Sequence, residues 1–442
     1  MRRGRRLVQS IIVETGLGKG AGEYGNVGDI SMLQVAVSRL QELFPQARIQ
    51  VLTDSEENLA RYCPAAKPLE NRGRVLWFGN GVLLGSRRNV VPEWLVNSFV
   101  WLKQAIRSRF PNLFKGILLW RLRSQNRPEE AQAVADFVSA MKKADLFVMC
   151  GAGGFYDGCR PWNMDILDLL EAVIQRKKPT VMLGQGFGPI SDLLVLRRAS
   201  QLLPKVDFIT LRGGRGASAL LRGLGVAESK METTGDEALE LAYKSRPAHD
   251  GQGLGINMRF AGSAGTDEQD VERVRLVIQQ FASEHNLPLI PVPIAMHALL
   301  RDDLAIKRLL IGFDETTDGG RDIDSPIKVI KQIALCRVVI TGAYHAAVFA
   351  LAQGIPVVAL AKSDYFAGKM LGLEDQFGEG CQTVLLHEPN FEKNLQSAIE
   401  KAWESADKMR EPLLEATLRQ IAATEKSYRR VAALATGTSI RN

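Results

Sequence analysis

The sequence has few of the residues that build disulfides, metal sites or membrane spans. Its five cysteines are scattered and form no CxxC pair, which argues against a disulfide framework or a structural zinc site. No stretch supplies the roughly 20 consecutive apolar residues that span a bilayer. The apolar run behind the N-terminal arginines is short, and Gln9 and Ser10 interrupt it, so we interpret it as a first strand and not as a signal peptide. These absences favour a cytoplasmic protein in a reducing compartment.

One segment nearly lacks acidic residues. Between Gly85 and Pro128 the only acid is Glu93. Such a segment suits an anionic lipid surface at the inner face of a membrane, and the alternative of a solvated helical hairpin with its Trp side chains packed on the sheet stays open. No nucleic-acid-binding motif accompanies the charge, so we expect no nucleic-acid partner. The tryptophans and basic residues of this segment are Trp94, Trp101, Trp120, Arg87, Arg88, Lys103, Arg107, Arg109, Lys115, Arg121, Arg123 and Arg127.

What is present is a regular alternation of short apolar runs and segments of helical period. This alternation is typical of βα units with mostly parallel sheets. A chain of 442 residues with 46% hydrophobic content is long enough for two such domains. The predicted strands are Val8–Val13, Ile49–Thr53, Val75–Phe78, Leu146–Cys150, Thr180–Gly184 and Phe208–Leu211, then Leu254–Met258, Leu287–Val292, Val338–Thr341, Val357–Leu360 and Thr383–Leu386.

The predicted linker is the polar stretch Ser245–Gln252, which contains Pro, Gly and Asp. The first domain then covers residues 1–245 and carries the basic helical insertion at about 85–128. The second domain covers residues 253–388. Residues 389–442 have a helical pattern without a strand signal, and we expect this segment to pack back across both domains.

Polar and glycine-rich loops follow the predicted strands of both domains. In such sheets the carboxyl ends of the strands bind ligands, because the amides and dipoles of the helix N-termini favour anions there. No loop has a dinucleotide fingerprint or a P-loop, and alone each glycine fits a tight turn and each Asp a helix cap. Their convergence on one cleft is the functional signal. The residues placed at this cleft are Asn26, Gly28, Asp29, Gly153, Gly154, Gln185, Gly186, Gly188, Arg212, Asp236, Asn257 and Arg259.

The most informative motif is TGAYHAAVFALAQG at Thr341–Gly354. A β-branched run ends at Gly342, and His345 stands at the start of a helix of small residues, where a parallel strand meets its helix. A lone His could simply pack there, but this edge of the sheet makes it a candidate functional residue. The other histidines, interpreted as surface or packing residues, are His249, His285, His297 and His387.

The order and spacing of these elements resemble the polysaccharide pyruvyl transferases. The resemblance runs from about Tyr24 to Gly378, and it adds Tyr344, Tyr365 and Lys369 to the cleft. It implies an α/β fold of two Rossmann-like domains facing a cleft, as in the glycosyltransferase-B class, with the C-terminal helix packing back. It also implies phosphoenolpyruvate as donor and a hydroxyl pair on a sugar or lipid-linked oligosaccharide of the cell envelope as acceptor.

The implied reaction is ketal formation, which needs a general acid, a base and an anion clamp. His345 is then expected as the general acid or a phosphate contact, and Asp29 or Asp236 as the base. The expected clamp is Arg212, Arg259 and Lys369. Phosphoenolpyruvate is a co-substrate, and this scheme requires no metal and no further cofactor.

Two positions depart from the family pattern. Ala343 stands where the family usually carries an Arg, and Gly213 follows Arg212 where the family has an acid. Two alternatives therefore stay open. One is a glycosyltransferase that uses a nucleotide sugar on the same fold, with the diphosphate at the helix after Gly342. The other is a catalytically inactive relative that binds an acidic glycan.

Overall fold

Two parallel β-sheets, one in each half of the chain, form the framework of the protein. The computed structural model describes residues 7–16, 24–79, 102–151, 153–213, 216–246, 251–259, 264–297, 300–314 and 316–438. The first sheet has seven strands in the order β3-β2-β1-β4-β5-β6-β7. Their bounds are β1 Ser10–Glu14, β2 Arg48–Thr53, β3 Lys67–Glu70, β4 Leu146–Met149, β5 Thr180–Gln185, β6 Phe208–Leu211 and β7 Met231–Thr233.

The second sheet has five parallel strands in the order β14-β13-β12-β8-β9. A separate antiparallel pair, β10 with β11, lies in the loop after β9. The bounds are β8 Gly253–Asn257, β9 Leu289–Pro291, β10 Met296–His297, β11 Leu300–Arg301, β12 Cys336–Thr341, β13 Val357–Ala361 and β14 Cys381–Leu385.

Helices connect the strands and cover both faces of the sheets. The central strands are buried along their whole length, as parallel strands between two helical layers must be. The helices are Val27–Leu43, Glu56–Tyr62, Asn71–Phe78, 102–109, Pro111–Ser124, Pro128–Lys143, Arg160–Gln175, Leu193–Leu202, Ala217–Gly223, Ala238–Lys244, Glu268–Glu284, Asp302–Leu310, Pro326–Ile333, Tyr344–Ala352, Asp364–Phe377 and Phe391–Thr436.

The helix Tyr344–Ala352 lies between the two halves, and all nine of its residues are buried. Its small side chains let the helix Ala238–Lys244 of the first half approach it closely. One hydrophobic cluster therefore runs from Ile11 through Val348 to Val357 and joins the two sheets. The contact places the carboxyl ends of both sheets against one cleft.

The last helix, Phe391–Thr436, begins on the second half and ends on the first. Leu395 and Ile399 belong to the hydrophobic cluster of the second sheet. Near the other end, the Tyr428 hydroxyl donates to the Glu237 carboxylate at 2.7 Å, and the Arg430 guanidinium lies 4.1 Å from the Phe208 ring. The predicted α/β architecture, with two Rossmann-like domains, a cleft and a helix that packs back, is confirmed.

One predicted strand is wrong. Val75–Phe78 belongs to the helix Asn71–Phe78, whose Gly73 lies close to the Ala133 carbonyl of a neighbouring helix. The strand of this region is Lys67–Glu70, at the edge of the sheet, where a single buried Leu69 and a proline give little strand signal. The short edge strand Met231–Thr233 was also not predicted.

Parts of two predicted segments lie outside the described residues. They are residues 85–101 of the basic insertion and 247–250 of the linker, with Arg87, Arg88, Trp94, Trp101 and His249 among them. The strands of the first sheet all precede the predicted linker, and those of the second sheet all follow it.

Candidate functional site

A cavity of about 410 Å³ lies between the two halves, at the carboxyl ends of the first sheet. The first half contributes the loop 186–190 after β5, together with Arg212, Gly213 and Leu220. The second half contributes Tyr344 and residues of the helix Asp364–Phe377: Asp364, Tyr365, Gly368 and Lys369. The cavity is thus lined by five of the predicted site residues: Gly186, Gly188, Arg212, Tyr344 and Lys369.

Arg212, Asp236 and His345 form a buried charged cluster beside the cavity. The Arg212 guanidinium is 3.4 Å from Asp236 Oδ2 and 4.5 Å from the Tyr344 ring. His345 Nε2 is 3.6 Å from the same carboxylate oxygen and, among the described residues, is buried without a hydrogen-bond partner. Burial raises the pKa of Asp236, but the His345 contact and the Arg212 charge outweigh it, so the net pKa is lowered. The Asp236 carboxyl is therefore ionised at neutral pH.

Lys369 reaches the same region from the second half of the protein. Its ammonium lies 4.0 Å from the Tyr365 ring. A Cβ built on Gly153 would come within 2.4 Å of an Arg212 nitrogen and 2.7 Å of Lys369 Nζ, so both cations lie against this glycine. The Tyr365 hydroxyl donates to the Gly153 carbonyl. Only a residue without a side chain leaves room for this arrangement.

The environment of Lys369 disfavours its charge. Burial lowers its pKa well below the usual value, and the Arg212 and Arg259 charges add to this effect, while Asp29 opposes it. An anion bound beside Arg212, Arg259 and Lys369 would raise the pKa of Lys369 again. The described residues already place three carboxylates here: Asp236 is 3.4 Å from Arg212, Asp302 is 3.6 Å from Arg259, and Asp29 acts on Lys369.

The loop before the first helix is arranged differently from the prediction. Its amides were expected to be free for an anion, but Gly28 N and Asp29 N donate to Asn26 Oδ1 at 3.0 and 3.4 Å, and Val27 N donates to the Ile294 carbonyl. Asn26 is thus the helix cap, and Gly28 gives space to the His345 ring, which a Cβ would overlap. The Asp29 side chain remains half-buried, without an ion pair in the described part of the chain.

Asn257 and Arg259 belong to a second buried network, centred on Asp302. Asp302 Oδ2 accepts hydrogen bonds from Ile294 N at 3.0 Å, Ala295 N at 2.9 Å and Asn257 Nδ2 at 3.1 Å. The Arg259 guanidinium is 3.6 Å from this oxygen, and its Nε has no hydrogen-bond partner among the described residues. The Asn257 amide therefore positions the loop after β9, while Arg259 keeps hydrogen-bonding capacity.

Gln185 is fully buried and holds backbone together. Its Nε2 donates to the carbonyls of Met149, Cys150 and Leu183 at 2.9 to 3.2 Å. The ladder to β6 shifts register beside it, so the side chain fixes the strand ends around the cleft. Gly154, also predicted at the cleft, lies against the Trp162 ring.

Three residues of this region were not predicted as functional. Tyr156 stacks on Tyr365 with ring centroids 3.8 Å apart, and this pair crosses the cleft. His297 is half-buried beside Arg259 and Asp29, and burial lowers its pKa. Glu237 follows Asp236, and burial raises its pKa to about 8. The aromatic residue in the glycine-rich loop was the one available signal for Tyr156.

The residues that the structure describes contain neither a metal-binding cluster nor a helix that could span a membrane. No group of three or more His, Cys, Asp or Glu side chains in those ranges is arranged to hold a metal ion. Over the same ranges, no helix combines the length and hydropathy that crossing a bilayer requires.

The whole fold is similar to solved structures of the glycosyltransferase-B class. UDP-GlcNAc 2-epimerase of Methanocaldococcus jannaschii has a TM-score of 0.52 at 11% identity, over 95% of this chain and 99% of that chain. A glycosyltransferase of Rickettsia africae has a TM-score of 0.51 at 9% identity, over 98% and 100%. Anabaena HepE in complex with UDP has a TM-score of 0.50 at 10% identity, over 96% and 100%. The protein therefore has the glycosyltransferase-B architecture.

Within that architecture, the sequence itself identifies the family. The profile of the polysaccharide pyruvyl transferases matches residues 26–364, which include Arg212, Asp236 and His345. The chain belongs to the polysaccharide pyruvyl transferase family, as its motifs predicted. No curated protein matches the sequence. Family and fold together make the protein a transferase that modifies polysaccharide.

Proposed function

We propose that the protein transfers the enolpyruvyl group of phosphoenolpyruvate to a pair of sugar hydroxyls as a cyclic ketal. The observation that carries this proposal is the convergence of Arg212 and Lys369, from opposite halves, on the backbone of Gly153 beside the cavity. A trianionic donor with a phosphate and a carboxylate needs such a set of buried cations.

The buried cations also explain how the site does without the family's usual Arg. Position 343 is an alanine with no exposed surface, so it offers the cleft no charged side chain. Arg259 lies near Lys369, and its Nε has no hydrogen-bond partner among the described residues. In the proposed complex the guanidinium groups of Arg212 and Arg259 hold the carboxylate and phosphate, and the anion draws a proton onto Lys369.

The proposed steps balance without another reactant. A proton from His345 adds to C3 of the donor, and C2 becomes an oxocarbenium-like electrophile. One sugar hydroxyl attacks C2 and gives its proton to the half-buried Asp29 carboxylate. The C2–O bond to phosphate breaks, and the second hydroxyl closes the ketal and loses its proton. One hydroxyl proton replaces the proton given to C3, and the other leaves with phosphate.

In this scheme Asp236 holds His345 and Arg212 in place, and Asp29 acts as the base. The pKa of Asp236 is already lowered by its buried partners, so its carboxylate is a weak base. The acceptor belongs to a cell-envelope polysaccharide or to its lipid-linked precursor, and the open cavity in the cleft is where its terminal sugar would enter.

A second candidate is hexosyl transfer from a nucleotide sugar. Two observations favour it: Ala343 gives no carboxylate contact, and Anabaena HepE, which shares the fold, was solved in complex with UDP. In that case the diphosphate would occupy the cationic cluster at the start of the helix Tyr344–Ala352.

Isothermal titration with phosphoenolpyruvate, with and without UDP, separates the two candidates. We expect micromolar binding of phosphoenolpyruvate that persists with UDP present and is lost in Arg259→Ala. The matched control is Arg419→Ala, whose side chain is 70% exposed and forms an ion pair with Glu415. Because Lys369 gains a proton on binding, the measured heat should vary with the ionisation enthalpy of the buffer. Binding of UDP alone would overturn pyruvyl transfer in favour of hexosyl transfer.

A further inference from the structure

The helix Pro111–Ser124 has two apolar faces, and only one of them belongs to the core. Phe114, Leu118 and Leu122 are buried, and Phe114 packs edge-on against Trp77 with ring centroids 5.0 Å apart. The other face is what we call the exposed apolar stripe. It consists of Phe110, Leu113, Ile117 and Trp120, which are 57%, 59%, 45% and 70% exposed.

These four side chains form one continuous surface. They are three or four residues apart, which places neighbours on the same side of a helix. Gly116 within the stripe has no neighbouring atom near its Cβ position, so the surface around it is open. Contiguous exposed apolar patches with basic borders mark sites that bind another surface.

The border of the stripe is positively charged. Arg121 and Arg123 border it, because they follow Ile117 by four residues and Trp120 by three, whereas Lys115 lies on the opposite side of the helix. Neither arginine makes an ion pair in the described part of the chain. No Asp or Glu occurs at any position from 94 to 128. Within this segment Lys103 and Arg107 are buried instead: Lys103 donates to the Phe78 carbonyl at 2.9 Å, and Arg107 lies over the Phe78 ring. The positive charge that borders the stripe therefore comes from Arg121 and Arg123.

We propose that the exposed apolar stripe is a docking surface for an anionic lipid bilayer. A helix lying in the interface inserts Phe, Leu, Ile and Trp side chains among the acyl chains, while Arg and Lys contact the phosphates. A second copy of the chain fits less well, because a symmetric contact would bring the same arginines together. The surface lies on the outer helical layer and does not depend on which donor the cleft binds.

Flotation with vesicles tests this surface. The wild-type protein should float with vesicles of phosphatidylglycerol and phosphatidylcholine in equal amounts, and less with phosphatidylcholine alone. The stripe variant Leu113→Ser/Ile117→Ser/Trp120→Ser should reduce partitioning by about tenfold or more. The charge variant Arg121→Gln/Arg123→Gln should reduce partitioning by about fivefold per charge at low salt and by less at high salt.

The matched control removes equally exposed apolar side chains elsewhere. Leu276 and Leu418 are 55% and 46% exposed, and Leu276→Ser/Leu418→Ser should float as the wild type does. Thermal melting confirms that each variant is folded. A wild-type protein that does not float, or a folded stripe variant that floats equally well, would overturn the proposal. So would a stripe variant that changes only the oligomeric state in gel filtration.

Discussion

Two buried carboxylates, Asp302 and Asp236, lie at the ends of the two sheets and are satisfied to different degrees. One oxygen of Asp302 accepts three hydrogen bonds of 2.9 to 3.1 Å. Asp236 receives one comparable bond, from Ala238 N at 2.8 Å, while Arg212 and His345 stay 3.4 and 3.6 Å away.

The difference distinguishes Asp302, which stabilises the fold, from Asp236, which lies in the candidate site. Buried polar groups are normally satisfied, and the Asp302 network follows this rule because it fixes a loop. Around Asp236, Arg212 and His345 stay 3.4 and 3.6 Å from the carboxylate, and His345 Nε2 has no hydrogen-bond partner among the described residues. Hydrogen-bonding capacity left unused at the mouth of a cleft is capacity for a ligand.

Removing a cation from the cluster around Asp236 should have the largest effect. Arg212→Gln should lower kcat/KM for phosphoenolpyruvate by more than about thousandfold, because a buried charge contact to the donor is lost and Asp236 loses a partner. Steady-state kinetics measures this, with Arg419→Ala as the control. Near-normal kcat/KM would mean that Arg212 serves only the fold.

The imidazole should matter for chemistry and little for stability. His345→Ala should reduce ketal transfer by about a hundredfold to ten-thousandfold, since a general acid contributes that much. The melting temperature should fall by only a few degrees, because Nε2 has no hydrogen-bond partner in the described ranges. Phosphate release and thermal melting are compared with those of His387→Ala, an exposed site. A proportional loss of activity and stability would assign His345 to packing.

Breaking the hydrogen-bond network around Asp302 should reduce stability more than it affects the chemistry. Asp302→Ala leaves two backbone amides and the Asn257 side chain without their acceptor, so the free energy of unfolding should fall by roughly 3 kcal/mol. Urea unfolding measures it against Asp407→Ala, whose side chain is 75% exposed. Lost activity at unchanged stability would place Asp302 in the ligand site and remove the contrast with Asp236.

The effect expected over a single pH unit is the smallest, and it concerns Glu237, the neighbour of Asp236 in the sequence. Its pKa rises from 4.5 to about 8 on folding because it is buried. Between these values the folded protein holds a proton that the unfolded chain releases, so the free energy of unfolding falls as pH rises, by roughly 1 kcal/mol per pH unit. Glu237→Gln should flatten this slope and be more stable than the wild type near pH 8. An unchanged slope in urea unfolding across pH would show that Glu237 is not the proton carrier.

Most of the framework was predictable from the sequence because buried parallel strands are continuous apolar runs. Phe208–Leu211 was predicted at its observed bounds. The edge strands Lys67–Glu70 and Met231–Thr233 were not predicted, because an edge strand needs few apolar residues. Val75–Phe78 was misassigned because a short apolar run does not distinguish a strand from a helix that packs tightly.

The members of the site were more predictable than the roles of its backbone. Gly153, Arg212, Asp236, His345 and Lys369 meet beside one cleft, as strand-end position and family resemblance indicated. Sequence alone could not show that the amides of the first loop were already bonded, since that depends on the Asn26 rotamer and on a carbonyl from the other half of the chain. Nor could it show that Gln185 Nε2 already donates to backbone carbonyls.

The C-terminal helix has a consequence for how the chain is made. Tyr428, Val431 and Ala435 complete the hydrophobic cluster that also contains Ile11 and Val13 of the first strand. Chains emerge from the ribosome N-terminus first, and domains usually fold in that order. Here part of the core of the first half stays open until Tyr428, Val431 and Ala435 have been synthesised. A nascent chain stalled before Tyr428 would therefore expose part of its first domain to chaperones and proteases.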